Sequence, residues 1–424
     1  MRTDCTREQI ADKGKTPENQ RSGTKKTPHV SVIIPTYNRR EYLPQAIESV
    51  LAQTFADYEI VVVDDGSTDC IRGVLQQYGD HVRYIWRDNG GPSAARNTGI
   101  ASSTGKYLLF LDDDDYLLPG KLACQVQALD EQPDAGVAIG GRLIIDDTGT
   151  ALQAVRPWVA FPDLNFRVWF LACPAGASGM IFRRSWLERA NGFDEVEFPY
   201  YYEDCDLLAR LTYGGCKTVW VKELVCAVRC HRTNAVKSAH RHSLAHERAL
   251  DKFYAEHSLP DDLSNGRNDV YAHTWLSWAF REYRVGQIQE ARVHLSRAVA
   301  LKPGLLDDEG RAIRDAFVMW GADFSTEDVA TYVQMVFDNL PDELSILQKY
   351  KRNLTGQIWV GKAFAAYGVG EYRKIRWAVL WAILHDASCL SNRGLLSIWG
   401  KSLVGPRFVY FLSRLLGGGA GKNR

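Results

Sequence analysis

A chain of 424 residues, 46% hydrophobic and 24% charged, is long for one core and has apolar material for two or three globular units. Lysine plus arginine equals aspartate plus glutamate at 51 each, which removes any whole-chain electrostatic case for nucleic-acid binding. Nine cysteines, odd in number and irregular in spacing, fit a reducing compartment better than a disulfide framework.

Residues 1–28 are polar throughout, lack the apolar core of a signal peptide, and read as a disordered leader. From Val30 the chain alternates short β-branched runs with helix-like stretches. "VSVIIP" (30–35), "YEIVVVDD" (58–65), "VRYIW" (82–86) and "KYLLFL" (106–111) read as strands. "EYLPQAIESVLAQ", "TDCIRGVLQQYG" and "SAARNTGIASS" read as the helices between them. Continuous apolar strands separated by helices predict a parallel sheet covered on both faces, with ligands beyond the carboxyl ends of its strands. The unusual polar clusters sit at those ends: "PTYN" after the first strand, "DDGSTD" after the second and "DDDD" after the fourth.

The pattern loosens from Gly136, with a hairpin expected around Asp146 to Gly149. A helix is expected from Glu203, then strands in "KTVWV" and "VCAVRCH". From His240 the chain is mostly helical. "WLSWAFREYRVGQIQEARVHLSRAVALKP" from Trp275 aligns without gaps to "WVGKAFAAYGVGEYRKIRWAVLWAILHDA" from Trp359. Each copy reads as helix, glycine turn, helix, resembling a tetratricopeptide-like hairpin. Two separated copies fall short of the ~3 adjacent repeats of a solenoid, so a helical bundle is expected. No apolar run reaches the ~18 residues that span a bilayer. A cytoplasmic chain is expected, with either a basic, apolar tail touching the inner face of an anionic membrane or a last helix docked on the bundle.

Four consecutive carboxylates, Asp112 to Asp115, repel one another unless a positive charge lies among them. A calcium loop fails, because its sixth and twelfth positions fall on Leu117 and Ala123. Helix capping needs one aspartate, not four. The remaining reading is Mg²⁺ or Mn²⁺ held between carboxylates and a ligand's diphosphate. No Walker A loop offers another cradle for phosphate.

Taken in order, "SVIIPTYN", "VVVDDGSTD", "GGPSAARNTGIASSTGKYLLFLDDDD", "NGFDE" and "YYEDCDLLARL" resemble glycosyltransferase family 2, over residues 30 to about 232. The resemblance implies an α/β class chain: a GT-A domain over 29–240, a Rossmann-like and mostly parallel sheet, followed by an α-helical domain over 241–424. It implies an inverting enzyme moving a sugar from a nucleotide-sugar donor, uridine by family habit, to a saccharide or lipid-linked acceptor in cell-surface polysaccharide or glycoconjugate synthesis. Pro35 and Tyr37 would then face the base, Asp65 would accept a hydrogen bond from it, and Arg96 and Asn97 would line the donor pocket. The D-x-D signature falls on Asp112 and Asp114, with Asp114 as metal ligand, Asp112 as ribose or metal contact and Asp113 between them on the donor side. His231 corresponds to a histidine that relatives carry near the diphosphate, and its imidazole would be a third metal ligand beside Asp112 and Asp114. Asp204 would be the catalytic base, with Glu203 orienting the site or the acceptor. A sugar-nucleotidyltransferase would want a glycine-rich basic loop that "PTYNRR" lacks. An inert scaffold binding partners through its helical repeats would have no use for intact D-x-D and E-D residues.

Overall fold

Val30–Thr36 forms β1, and its apolar, largely β-branched run is buried along its whole length. The structure is a computed structural model in which residues 27–198, 200–230, 238–323 and 328–403 are described. His231, most of the polar leader and the end of the basic tail lie outside them. The chain divides into two compact units, one of residues 1–142 and 155–229, the other of residues 143–154 and 230–424.

In the first unit, β1 lies between β2 (Tyr58–Asp64) and β4 (Tyr107–Phe110), and β3 (Val82–Trp86) lies beyond β2, all parallel. The sheet continues past β4 through strands β5 (Tyr116–Leu117), β6 (Ala135–Ile145), β8 (Met180–Arg183) and β9 (Lys217–Arg229). Their order is β3-β2-β1-β4-β8-β6-β9-β5, with β7 (Ala151–Val155) paired to β6. The two strands expected in "KTVWV" and "VCAVRCH" are one continuous strand, β9.

Alternate residues of the parallel strands feed two cores. Val32, Ile34, Ile60, Val62 and Leu109 pack with α1 (Leu43–Leu51), α2 (Ile71–Leu75) and α4 (Lys121–Glu131). Ile33, Val61, Val63, Leu108 and Phe110 pack with α3 (Pro92–Ser102), α5 (Phe166–Leu171), α6 (Arg184–Arg189) and α7 (Glu203–Tyr213). A two-sided core is what continuous apolar strands require. Helix α2 is shorter than expected, and two 3₁₀ turns follow over Gln76–His81, separated by a kink at Gly79 with φ +52°. At Gly99 a Cβ would stand 2.3 Å from Ile33, so the missing side chain lets α3 lie close on β1.

The second unit is helical: α8 (Ala239–Glu256), α9 (Asp261–Asn265), α10 (Arg267–Arg284), α11 (Ile288–Leu301), α12 (Asp307–Gly321), α13 (Val329–Asp338), α14 (Lys351–Gly368) and α15 (Tyr372–His385). The two sequence repeats are the hairpins α10–α11 and α14–α15. Their turn residues, Gly286 and Gly370, both take φ +80°, a region that favours glycine. In the 143–154 segment, Asp146 closes the expected hairpin by accepting hydrogen bonds from the backbone of Thr148 and Thr150, 2.9 Å each. No helix among the described residues is long and apolar enough to cross a membrane. The α/β sheet followed in sequence by helices is the GT-A class of architecture expected from the motifs.

Candidate active site

Strand β4 ends at Phe110, and the chain then turns so that Asp115 donates its backbone N–H to the Asp112 carbonyl, 3.0 Å. This tight turn brings four carboxylates together, and arginines meet them. Arg96 on α3 holds Asp112 at 2.7 Å. Arg39, in the loop after β1, pairs with Asp114 and stands 3.7 Å from Asp113. Arg229, the last residue of β9, donates its N–H to Asp115 at 3.1 Å and its Nε–H to the Asp114 carbonyl at 3.2 Å. The expected metal is therefore not the sole source of positive charge: Arg96 and Arg39 pair with these carboxylates, and Arg229 hydrogen-bonds the same turn. Burial still dominates the titration. It pushes Asp113 up to about 8, with Asp114 adding repulsion and Arg39 opposing. Burial raises Asp112 and Asp115 as well.

The second half of the site is the start of α7. Arg96 reaches across to it, donating to Glu203 at 2.6 Å while holding Asp112 with its other terminal nitrogen. Burial works against the Arg96 charge, but Asp112 and Glu203 outweigh it and raise its pKa. Three acids open this helix, a pattern that the helix dipole alone would favour. Two of them are spoken for, Glu203 by Arg96 and Asp206 by Arg210 at 2.7 Å. Asp204 makes no ion pair among the described residues and accepts only the backbone N–H of Cys205, 2.8 Å. Burial raises it to about 7, with repulsion from Glu203 second and Arg96 opposing. Tyr201 and Tyr202, just before the helix, take left-handed φ of +64° and +68°. Such backbone costs about 1–3 kcal/mol per residue and persists only where its surroundings impose it.

Cys205, next to Asp204, is joined by a disulfide to Cys173. The expectation of unpaired cysteines is corrected at this pair. Cys173, Asp204 and Cys205 lie close enough to suggest a metal trio, but both sulfurs are used by the bond, leaving no thiolate to bind an ion.

The remaining sequence candidates fall on two sides. Pro35 lies in β1 beyond the last β1–β4 pair, Ile33 with Phe110, where its missing N–H costs that pairing nothing. Tyr37 is half exposed past the strand end. Asp65 is buried and accepts the backbone N–H groups of Gly90 and Gly91 at 3.0 and 2.8 Å, fixing the approach to α3. Asn97 faces the "NGFDE" segment instead, accepting from the Phe193 N–H at 2.9 Å and donating to the Phe193 carbonyl and to Glu195. Sequence reasoning missed Arg39, Arg229, Ser178 (whose hydroxyl accepts from the Asp112 N–H) and Tyr200, which donates to Asn89. The unbalanced charge of "DDDD" was the one signal that cations had to be near.

A divalent cation fits the donor set. Hard carboxylate oxygens at a strand end, used one or two at a time with a ligand's phosphates completing the shell, suit Mg²⁺ or Mn²⁺. The Asp112 side chain keeps 39% of its surface exposed and can serve from outside, while Asp114 stands deeper, at 12%.

The family model described as "Glycosyl transferase family 2" matches residues 31–190. An uncharacterized glycosyltransferase of Nostoc sp. is 35% identical over 221 residues, 50% of this chain and 67% of its own length. A Campylobacter jejuni protein named GalNAc(5)-diNAcBac-PP-undecaprenol beta-1,3-glucosyltransferase is 41% identical over 202 residues, 46% of this chain and 59% of its own. The chain spans less than half the length of Rickettsia glycosyltransferases that it also matches. Among solved structures, residues 1-349 of S. aureus TarS in complex with UDP-GlcNAc are similar at 18% identity and a TM-score of 0.46, covering 82% of this chain and 90% of that one.

Proposed function

This chain belongs to glycosyltransferase family 2, and from that membership we propose that it moves a sugar from a nucleoside-diphosphate sugar to an acceptor hydroxyl with inversion at the anomeric carbon. One observation carries the reading: Arg96 joins a D-x-D aspartate to the acid pair of α7, at 2.7 and 2.6 Å. An inverting displacement needs a base on the acceptor side and an electrostatic anchor on the leaving-diphosphate side. Asp204 fills the first role. Burial raises it to about 7, and it pairs with no cation among the described residues. Glu203, held by Arg96, positions the acceptor side.

Asp204 takes the acceptor's proton as its oxygen attacks the anomeric carbon, and the bond to the diphosphate breaks on the opposite face. Asp112 and Asp114 would hold Mn²⁺ or Mg²⁺, which when bound neutralises the departing diphosphate. Asp65 and Tyr37, beyond the ends of β2 and β1, receive the base of the donor, with Asp113 and Arg96 shaping the pocket behind it and Asn97 tying α3 to the "NGFDE" segment. Uridine is the proposed base. The Campylobacter relative's name describes glucosyl transfer to an undecaprenol-diphosphate-linked glycan, which supports a saccharide or lipid-linked acceptor in cell-surface glycan synthesis.

Titration calorimetry with UDP in Mn²⁺ and again in EDTA tests the donor half. The intact chain is expected to bind more tightly with Mn²⁺, and Asp114→Ala to lose about 10–100-fold of that affinity, the range that even outer-sphere changes cause at metal sites. Arg39, freed from Asp114, is left to face the diphosphate alone, so the ratio between Mn²⁺ and EDTA collapses toward one. Unchanged affinity in Mn²⁺ would remove Asp114 from the donor site.

A further inference from the structure

Helix α15 is apolar on two faces. Ile375, Ala378, Val379 and Ala382 point inward and are buried. Trp377, Leu380, Trp381 and Leu384 recur at spacing i, i+3, i+4, i+7 and point outward, with 62, 43, 43 and 54% of their surface exposed. The internal repeat shows that the hairpin does not need this second face. Its counterparts in α11, 84 residues earlier, are Val293, Ser296, Arg297 and Ala300, while the inward positions are buried in both copies. Two tryptophans and two leucines therefore replace a mixed solvent face; Trp381 also stacks on Trp359 with ring centroids 6.2 Å apart, yet all four keep 43% or more of their surface exposed.

Their surroundings are basic. Residues 351–403 contain eight Lys or Arg against two acids, Glu371 and Asp386. Arg373 and Arg376 are exposed on α15, and Arg376 bonds only the Ser402 carbonyl among the described residues. Beside the tryptophans lies a recess of about 730 Å³ lined by Lys351, Arg352, Trp359, Trp381 and His385. Lys351 donates to the amide oxygen of Gln334 and Arg352 to the Leu384 carbonyl, so neither is neutralised by a carboxylate among the described residues. Asp328, at the rim, is spent capping α13.

We propose that the outward face of α15 is a membrane-docking surface. Trp377, Leu380, Trp381 and Leu384 enter the interfacial zone of an anionic bilayer, and Arg373, Arg376, Lys351 and Arg352 meet lipid phosphates. Tryptophan and leucine flanked by cations is the composition that interfacial helices use. Four side chains fall well below the ~800 Å² per partner of a stable protein dimer, which favours a lipid surface over a second copy. The proposal moves the expected membrane contact from the tail to a folded helix. It does not depend on the glycosyl-transfer reading.

Flotation with vesicles of phosphatidylglycerol and phosphatidylcholine, beside vesicles of phosphatidylcholine alone, tests it. The intact chain is expected to float with the anionic vesicles at low salt, to release as salt rises, and to show a blue shift of tryptophan emission. Trp377→Ser with Trp381→Ser should weaken binding at least tenfold while the helical circular dichroism and the thermal unfolding of the chain stay unchanged, which reports that the helical unit of the double variant is folded. Arg352→Gln should weaken binding to anionic vesicles more than to neutral ones. Removing residues 404–424 should leave most of the binding intact. No flotation at low salt, binding indifferent to the double tryptophan variant, or binding lost only with the tail would each overturn the proposal. So would a dimer in light scattering that the tryptophan variant dissociates, which assigns the face to a second copy.

Discussion

Asp204→Asn is expected to lower turnover by roughly 10²–10⁴-fold, the contribution of a positioned general base, with donor and metal affinity almost unchanged. Asparagine keeps the shape of the side chain and its acceptor for the Cys205 N–H but cannot take a proton. The pH profile gives an independent readout. Burial first, and Glu203 second, raise Asp204 to about 7, so the fraction able to act as base grows as pH rises through that value. For the intact chain kcat/KM should therefore climb between about pH 6 and pH 8 and level off above, with a midpoint near the raised pKa. The variant should lose that limb of the profile. Glu203→Gln should be milder, because glutamine still offers Arg96 an oxygen. Steady-state kinetics over this pH range decide. An active Asp204→Asn beside a dead Glu203→Gln shifts the base by one residue, and two active variants place it elsewhere.

Arg96→Met should cost about 3–5 kcal/mol of stability, the penalty for removing one partner from a buried ion-paired group. Its side chain is 5% exposed, Glu203 is almost as buried, and both carboxylates lose their only ion pair among the described residues. The partial exposure of Asp112 lets water soften its share, so the lower end of the range is expected. Arg96→Lys keeps the charge but not the fork, and one ammonium cannot hold two carboxylates in the same geometry. It should recover part of the stability and little of the turnover. Urea unfolding of the three proteins measures this. Equal midpoints for Arg96→Met and the intact chain would show that the bridge contributes nothing to the fold.

The central sheet was legible because burial on both faces writes itself into local sequence. The runs at Val30, Tyr58, Val82 and Lys106 coincide with β1 to β4 to within about a residue, and the repeat predicted a glycine at both Gly286 and Gly370 turns. The antiparallel additions were not legible. Strand β8 is only four residues long, and its pairing with β4 joins segments some seventy residues apart in sequence. The cations were hidden for the same reason. Arg39 lies 75 residues from Asp114, and Arg229 lies 115 residues from it. Charge imbalance announced that something positive was needed, but spacing could not say which arginines the fold would bring. The motifs named the acids of the site, and their neutralisation is a property of the tertiary structure.

The Cys173–Cys205 bond has a dynamic consequence. Asp204 sits in the first turn of α7, and helix ends are where local opening is cheapest. A covalent tie from that turn to a segment 32 residues earlier removes most of the frayed conformations available to it. In amide hydrogen exchange, residues 205–208 should be protected nearly as well as the middle of α7 while the bond is intact, and should exchange faster after reduction, with the strands β1 and β4 unaffected. The aim of the carboxylate is thereby linked to the oxidation state of two sulfurs that take no part in the chemistry.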